Sequence, residues 1–136
     1  MLREKTGNEI VDTIVKAEPV GPSNLIDVMV ICPCTGNTLA KLASAITDTP
    51  VLMVTKSQLR NNKPVVLGIS TNDALGLNAK NLGLLLNSKG VFFIPFGQDD
   101  YLNKPKSLSL DYSKIVDTIE LAAQNRQLQP ILSVSK

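Results

Sequence analysis

An α/β fold, with a Rossmann-like three-layer arrangement of helices over both faces of a parallel sheet, is what this 136-residue sequence predicts. Three observations predict it. Short apolar runs recur at residues 25–32, 65–69 and 91–94, each dense enough in Val, Ile, Leu and Phe for a strand buried on both faces. Each run empties into a small polar turn, CPCTGNT, STND and PFGQD in chain order. Segments of helical period lie between the runs, and that alternation is the pattern of crossover-connected parallel strands. Hydrophobic residues make up 43% of the chain, enough for a core, and 136 residues suit one domain, so residues 1–136 are read as a single domain.

The elements follow in order. Thr6 and Glu9 have capping-box spacing ahead of Ile10, Val11, Ile14 and Val15, which predicts a helix over 7–16. Residues 17–24, AEPVGPSN, form a connecting loop. The stretch 25–48 organises the rest: a buried strand, a polar turn and a short helix. Pro33 has no N–H to donate and is expected to end the strand's ladder. Thr35, Gly36, Asn37 and Thr38 supply turn chemistry and a choice of N-cap, and Leu39, Leu42, Ala43 and Ile46 then share one helical face. In TDTP, residues 47–50, a cap precedes a proline at the first helical position. The stripe Val51, Leu52, Thr55 and Leu59 predicts a second helix behind the first.

After an NNKP turn comes the strand over 65–69, then a helix from Asn78 or Ala79 with Leu82, Leu85 and Leu86 facing inward and Gly90 as its C′ residue. The third strand spans 91–94, and residues 99–109 are a polar loop. A last amphipathic helix over 112–127 carries Ile115, Ile119 and Ala122, and the tail over 128–136 is partly loose. Only three strong strands appear, few for a parallel sheet. An unpaired edge is therefore expected, which implies a homo-oligomer.

Composition removes several functions. Lys plus Arg is 14 against 12 for Asp plus Glu, without a dense basic cluster, so no nucleic-acid footprint is present. Aromatics at 4% are too few for base-stacking platforms. No apolar run is long enough to span a membrane and MLREKTGNE is no signal peptide, so the default location is the cytoplasm. The absence of histidine removes the commonest general base, and with it Ser-His-Asp and Cys-His chemistry within this chain. Cys32 and Cys34 offer too few ligands for a metal site. Small packing residues beside a turn are the favoured reading, and a thiol at Cys34 activated by the following helix is the lesser one.

A strand that runs through a polar turn into a helix leaves free N–H groups at the strand's carboxyl end, where ligands of open α/β sheets sit and where an anion such as phosphate is favoured. On the residues alone a plain capped turn explains Thr35 to Thr38 slightly better than a ligand does. The same contest holds for Ser70, Thr71 and Asn72, where Asn72 can hold an Asx-turn. Lys41 reads as a solvated helix residue. Phe96, Gly97 and Gln98 either rim a pocket or, for Phe96, join the core.

The run Pro33-Cys34-Thr35-Gly36-Asn37-Thr38-Leu39-Ala40-Lys41-Leu42-Ala43, with the later strand Lys63-Pro64-Val65-Val66-Leu67, resembles the flavoprotein superfamily that includes flavin-containing cysteine decarboxylases and flavin prenyltransferases. Asn72 falls where the decarboxylases carry the Asn of Pro-Ala-Met-Asn. Within that superfamily TNDALGLN (71–78), FFIPFGQDD (92–100) and QLQPIL (127–132) are similar to the family of dipicolinate synthase B subunits, and the likeness runs from about residue 6 to residue 132.

The resemblance implies an FMN cofactor held by Pro33, Cys34, Thr35, Gly36, Asn37, Thr38, Ser70, Thr71 and Asn72, and no metal. It implies oxidation of dihydrodipicolinate, a small dicarboxylate, to dipicolinate during sporulation in the mother cell. The partner is a dehydrogenase-like A subunit that brings NADP. No catalytic residue is assigned, because Asn37 and Asn72 hydrogen-bond but do not titrate. Family members begin with a strand, a glycine-serine turn and a helix that bind part of the flavin, followed by a second strand. The chain is expected to start after both, as an N-terminally truncated flavoprotein fold. The decarboxylases' active histidine lies in that same portion. Two other readings remain: an independent FMN-dependent decarboxylase, opposed by the missing histidine and by STND in place of Pro-Ala-Met-Asn, and a non-catalytic structural or truncated subunit. A flavin absorbance spectrum separates the last from the others.

Overall fold

The computed structural model describes residues 27–133. The expected helix over 7–16, the loop over 17–24, the first two residues of the expected strand over 25–32 and the last three of the chain lie outside the described residues.

The centre is β2, Val65–Thr71. It pairs in parallel with β1, Met29–Cys34, on one side and with β3, Val91–Phe93, on the other, in the registers Met29↔Val65 and Val65↔Val91. The three expected strands are thus parallel, with their carboxyl ends on one side. Val65, Val66, Leu67 and Ile69 are all fully buried, because both faces of β2 are covered. Val65, Leu67 and Ile69 pack with Ile31 and Phe93 beneath Leu39 of helix α1, Gly36–Ala43, and Leu82 and Leu85 of helix α3, Ala79–Leu86. Val66 faces the other way, into Phe92, Ile94 and Ala122 of helix α4, Ile115–Ala122. Each such burial stabilises the fold by roughly 1.5–3 kcal/mol. Helix α2, Pro50–Arg60, begins as expected: Thr49 Oγ1 accepts from the Leu52 N–H at 3.2 Å, and Pro50 follows the cap.

Several boundaries differ. Pro33 does not end β1, which runs on to Cys34. The ladder shifts register between Ile31 and Cys34, and a local bulge accommodates the residue that cannot donate. The Cys32–Pro33 peptide is cis. Ser70 and Thr71 belong to β2 rather than to the turn, because β5, Leu108–Leu110, pairs with them antiparallel. β4, Phe96–Gly97, pairs antiparallel with β5. Both strands fall where the sequence suggests a turn and a loop.

Ile46 lies past the end of α1 and is 44% exposed, and Leu86 is 43% exposed. Gly90 is not the C′ residue of α3, which closes at Asn87. It uses its positive φ of 85° in the turn that enters β3. The last helix is shorter than 112–127, with Tyr112–Lys114 forming a 3₁₀ turn and α4 ending at Ala122. The described part of the tail is tied down: Phe96 N–H donates to Ile131 O at 3.0 Å and Ser133 N–H donates to Phe96 O at 2.8 Å. Gly97 permits this, since a Cβ there would lie 2.7 Å from Ser133 O. The side-chain amide of Gln127 covers the free edge of β3, accepting from Phe93 N–H at 2.8 Å and donating to Phe93 O at 2.6 Å.

Candidate functional site

Helix α1 begins at Gly36, directly after β1. Its cap residue Thr35 makes no side-chain cap bond, its Oγ1 lying 3.4 Å from Thr38 Oγ1, and no acidic residue stands in its first turn. The first N–H groups of a helix have no partner inside it. Here they open at the carboxyl ends of β1 and β2, beside the exposed Thr35 and Asn37.

The end of β2 and the turn after it form the second wall. Thr71 Oγ1 donates to Asp73 Oδ1 at 2.6 Å, and Asn78 Nδ2 donates to the same oxygen at 3.0 Å. Asn78 Nδ2 also lies 3.3 Å from Gly36 O, which it reaches across from the start of α3, and Asn78 Oδ1 accepts from Asn81 Nδ2 at 2.8 Å. Asn78 is only 7% exposed. Gly36 is required by this junction, because a Cβ would lie 2.7 Å from Thr71 Oγ1, 2.9 Å from Asn78 Nδ2 and 3.2 Å from Asp73 Oδ1. The bonds from Thr71 and then Asn78 hold the Asp73 carboxyl below its ordinary range.

The sequence-predicted residues divide in position. Gly36 and Thr71 meet in this junction. Thr38 is half-buried, and so is Ser70, whose backbone is in the β2–β5 ladder. Pro33, Thr35, Asn37 and Asn72 are exposed along the rim. Cys34 is fully buried, and burial, with the neighbouring Cys32 thiol, pushes its thiol up to about 12. The activated-thiol alternative is not favoured, since the Cys34 side chain has no exposed surface to offer a reagent or ligand and burial disfavours its thiolate. Lys41 is not simply solvated; it pairs with Asp48 at 2.9 Å. Phe96 is core, edge-on to Phe93 at 5.9 Å, and Gln98 Nε2 donates to Pro105 O at 2.9 Å.

Asp73, Asn78 and Asn81 are absent from the predicted set. The available signal was a pair of Asx residues spanning a glycine-containing turn, Asp73 to Asn78, which reads as turn and cap chemistry when taken locally. A surface hollow of about 510 Å³, lined by residues including Lys63, Pro64, Lys89 and Gly90, lies at the opposite, amino ends of β2 and β3. It shares no residue with these turns. Among the described residues no cluster of His, Cys, Asp and Glu fit for a metal occurs, and no helix is long and apolar enough to cross a membrane.

With strands, helices and turns in this arrangement, the Flavoprotein family model matches residues 2–123, and the chain belongs to that family. More particularly, it is 57% identical over 131 residues to the dipicolinate synthase B subunit of Bacillus subtilis (strain 168), covering 96% of this chain and 66% of that protein. Its structure superposes on a crystal structure of the dipicolinate synthase B subunit from Bacillus halodurans with a TM-score of 0.92 and 51% identity, covering 99% of this chain and 69% of the other. The chain thus spans about two thirds of the length of these relatives. The FMN-binding protein AtHal3 has a TM-score of 0.60 at 22% identity, over 88% of this chain and 64% of that one, and shares the fold.

Proposed function

We propose that this chain is the flavin-binding B subunit of a dipicolinate synthase. It acts as a single domain, in homo-oligomeric form, in the cytoplasm of a spore-forming mother cell. There it serves with a dehydrogenase-like A subunit, which brings NADP, in oxidising dihydrodipicolinate to dipicolinate. The observation that carries this reading is the 57% identity to a B subunit over 96% of the chain. Membership in the Flavoprotein family supports FMN as the cofactor.

The residues present fit a flavin at the carboxyl edge. The rim offers the α1 N–H groups, the Thr35 hydroxyl and the Asn37 amide as donors, with Ser70, Thr71 and Asn72 on the facing wall. Gly36 keeps the junction between the two walls close-packed. Asp73 refines the fit. Its ionised carboxylate beside the first turn of α1 already uses the helix end's preference for negative charge. That turn therefore suits the uncharged ribityl hydroxyls or ring edge of the flavin better than its phosphate. When bound, the flavin supplies a two-electron acceptor, while the chain's own groups orient ring and substrate by hydrogen bonding. The test is reconstitution: this chain, FMN, a dehydrogenase-like A subunit and dihydrodipicolinate. Dipicolinate formation that needs both subunits is expected. Full activity of the A subunit alone would overturn the reading.

A further inference from the structure

We propose that Asn78 is a positioning residue that makes the turn after β1 and the turn after β2 act as one binding surface; this rests on the flavin reading above. Two strands that end side by side do not by themselves hold their loops in register. Here one buried amide does so. Asn78 Nδ2 faces both Gly36 O, at 3.3 Å on the first turn of α1, and Asp73 Oδ1, at 3.0 Å in the turn after β2. Its own oxygen is held by Asn81 Nδ2 at 2.8 Å, which fixes the amide's orientation so that the nitrogen faces the junction. The absence of a side chain at Gly36 is what lets the amide approach the α1 backbone, since a Cβ there would lie 2.9 Å from Asn78 Nδ2 and 2.7 Å from Thr71 Oγ1. The residue that joins the two walls therefore need not touch the ligand.

Of the groups that face Asn78, namely the Gly36 carbonyl on α1, Asp73 in the turn and Asn81 on α3, Asp73 alone titrates. A carboxyl put in place of the amide by Asn78→Asp can donate to Asp73 only while protonated, and when ionised it repels Asp73. The experiment titrates FMN into the parent, Asn78→Ala and Asn78→Asp by fluorescence quenching at pH 5 and pH 7.5. Backbone amide shifts of residues 36–38 and 71–73 are recorded alongside without flavin. We expect FMN affinity about tenfold or more weaker in Asn78→Ala, which removes both bonds the amide donates and the one it accepts. Asn78→Asp should be weak at pH 7.5 and recover at pH 5 by more than the parent changes over the same range. Both variants should shift amides in both turns. A merely structural role would lower FMN affinity only together with the fold, whereas the positioning role weakens FMN binding in variants that circular dichroism shows folded at both pH values. Equal FMN affinity in all three proteins, or amide shifts confined to one turn, overturns the proposal. Coupled amide shifts with no FMN binding by any of the proteins would leave the coupling standing and defeat the flavin reading.

Discussion

Cys34 shows how burial decides the chemistry of a single residue. A thiol one position before a helix's N-cap is placed to be activated, yet the Cys34 side chain has no exposed surface and its thiol rises from 9.0 to about 12. Its folded value lies above its ordinary one. Any stability it contributes is therefore intact below about pH 9 and is lost as pH rises towards 12. Under native conditions at neutral pH, a thiol reagent is expected to modify the half-buried Cys32 while sparing Cys34, as mass mapping would show; rapid labelling of Cys34 in the folded protein would contradict this. Side-chain types at the site were legible, because Thr, Gly and Asn in a turn announce turn or ligand chemistry. Their burial was not. The role of Asn78 depends on a contact with Gly36 42 residues away, and Asp73 joins it through Asn78, which no local pattern encodes.

At the scale of elements, periodicity read the buried strands and the α2 cap well, since β2 is buried on both faces and Thr49-Pro50 is a local signal. It failed for β4 and β5, whose two and three residues are too short for a period to register. It also placed the end of β1 too early, since a bulge carried the strand past Pro33. The helical pattern runs as far as Gln127, whereas in the structure its amide takes the place of a neighbouring strand beside Phe93 of β3. Gln127→Ala would leave the Phe93 N–H and C=O without these partners, in a residue only 1% exposed. A loss of roughly 1–3 kcal/mol in urea unfolding is expected. An unchanged midpoint and slope would show that this edge needs no cover.

For the molecule as a whole, the three parallel strands bring two polar turns, far apart in sequence, to one edge of the sheet, and α1 and α3 start there together. That placement was legible once the strands were assigned parallel, because parallel strands put all their carboxyl ends on one side. The lock between the two turns was not. The most direct test of a flavin at this edge compares FMN titrations of the parent, Gly36→Val and Asn37→Ala by fluorescence quenching, with circular dichroism confirming that all three are folded. Asn37→Ala removes an exposed amide and leaves the backbone in place, a loss of roughly 0.5–1.5 kcal/mol or a few-fold to tenfold in affinity. Gly36→Val drives a side chain into Thr71, Asn78 and Asp73 and separates the two walls, so it is expected to weaken FMN binding more than Asn37→Ala does. FMN binding as tight in both variants as in the parent would show that this turn is only a helix cap and that the flavin does not bind there.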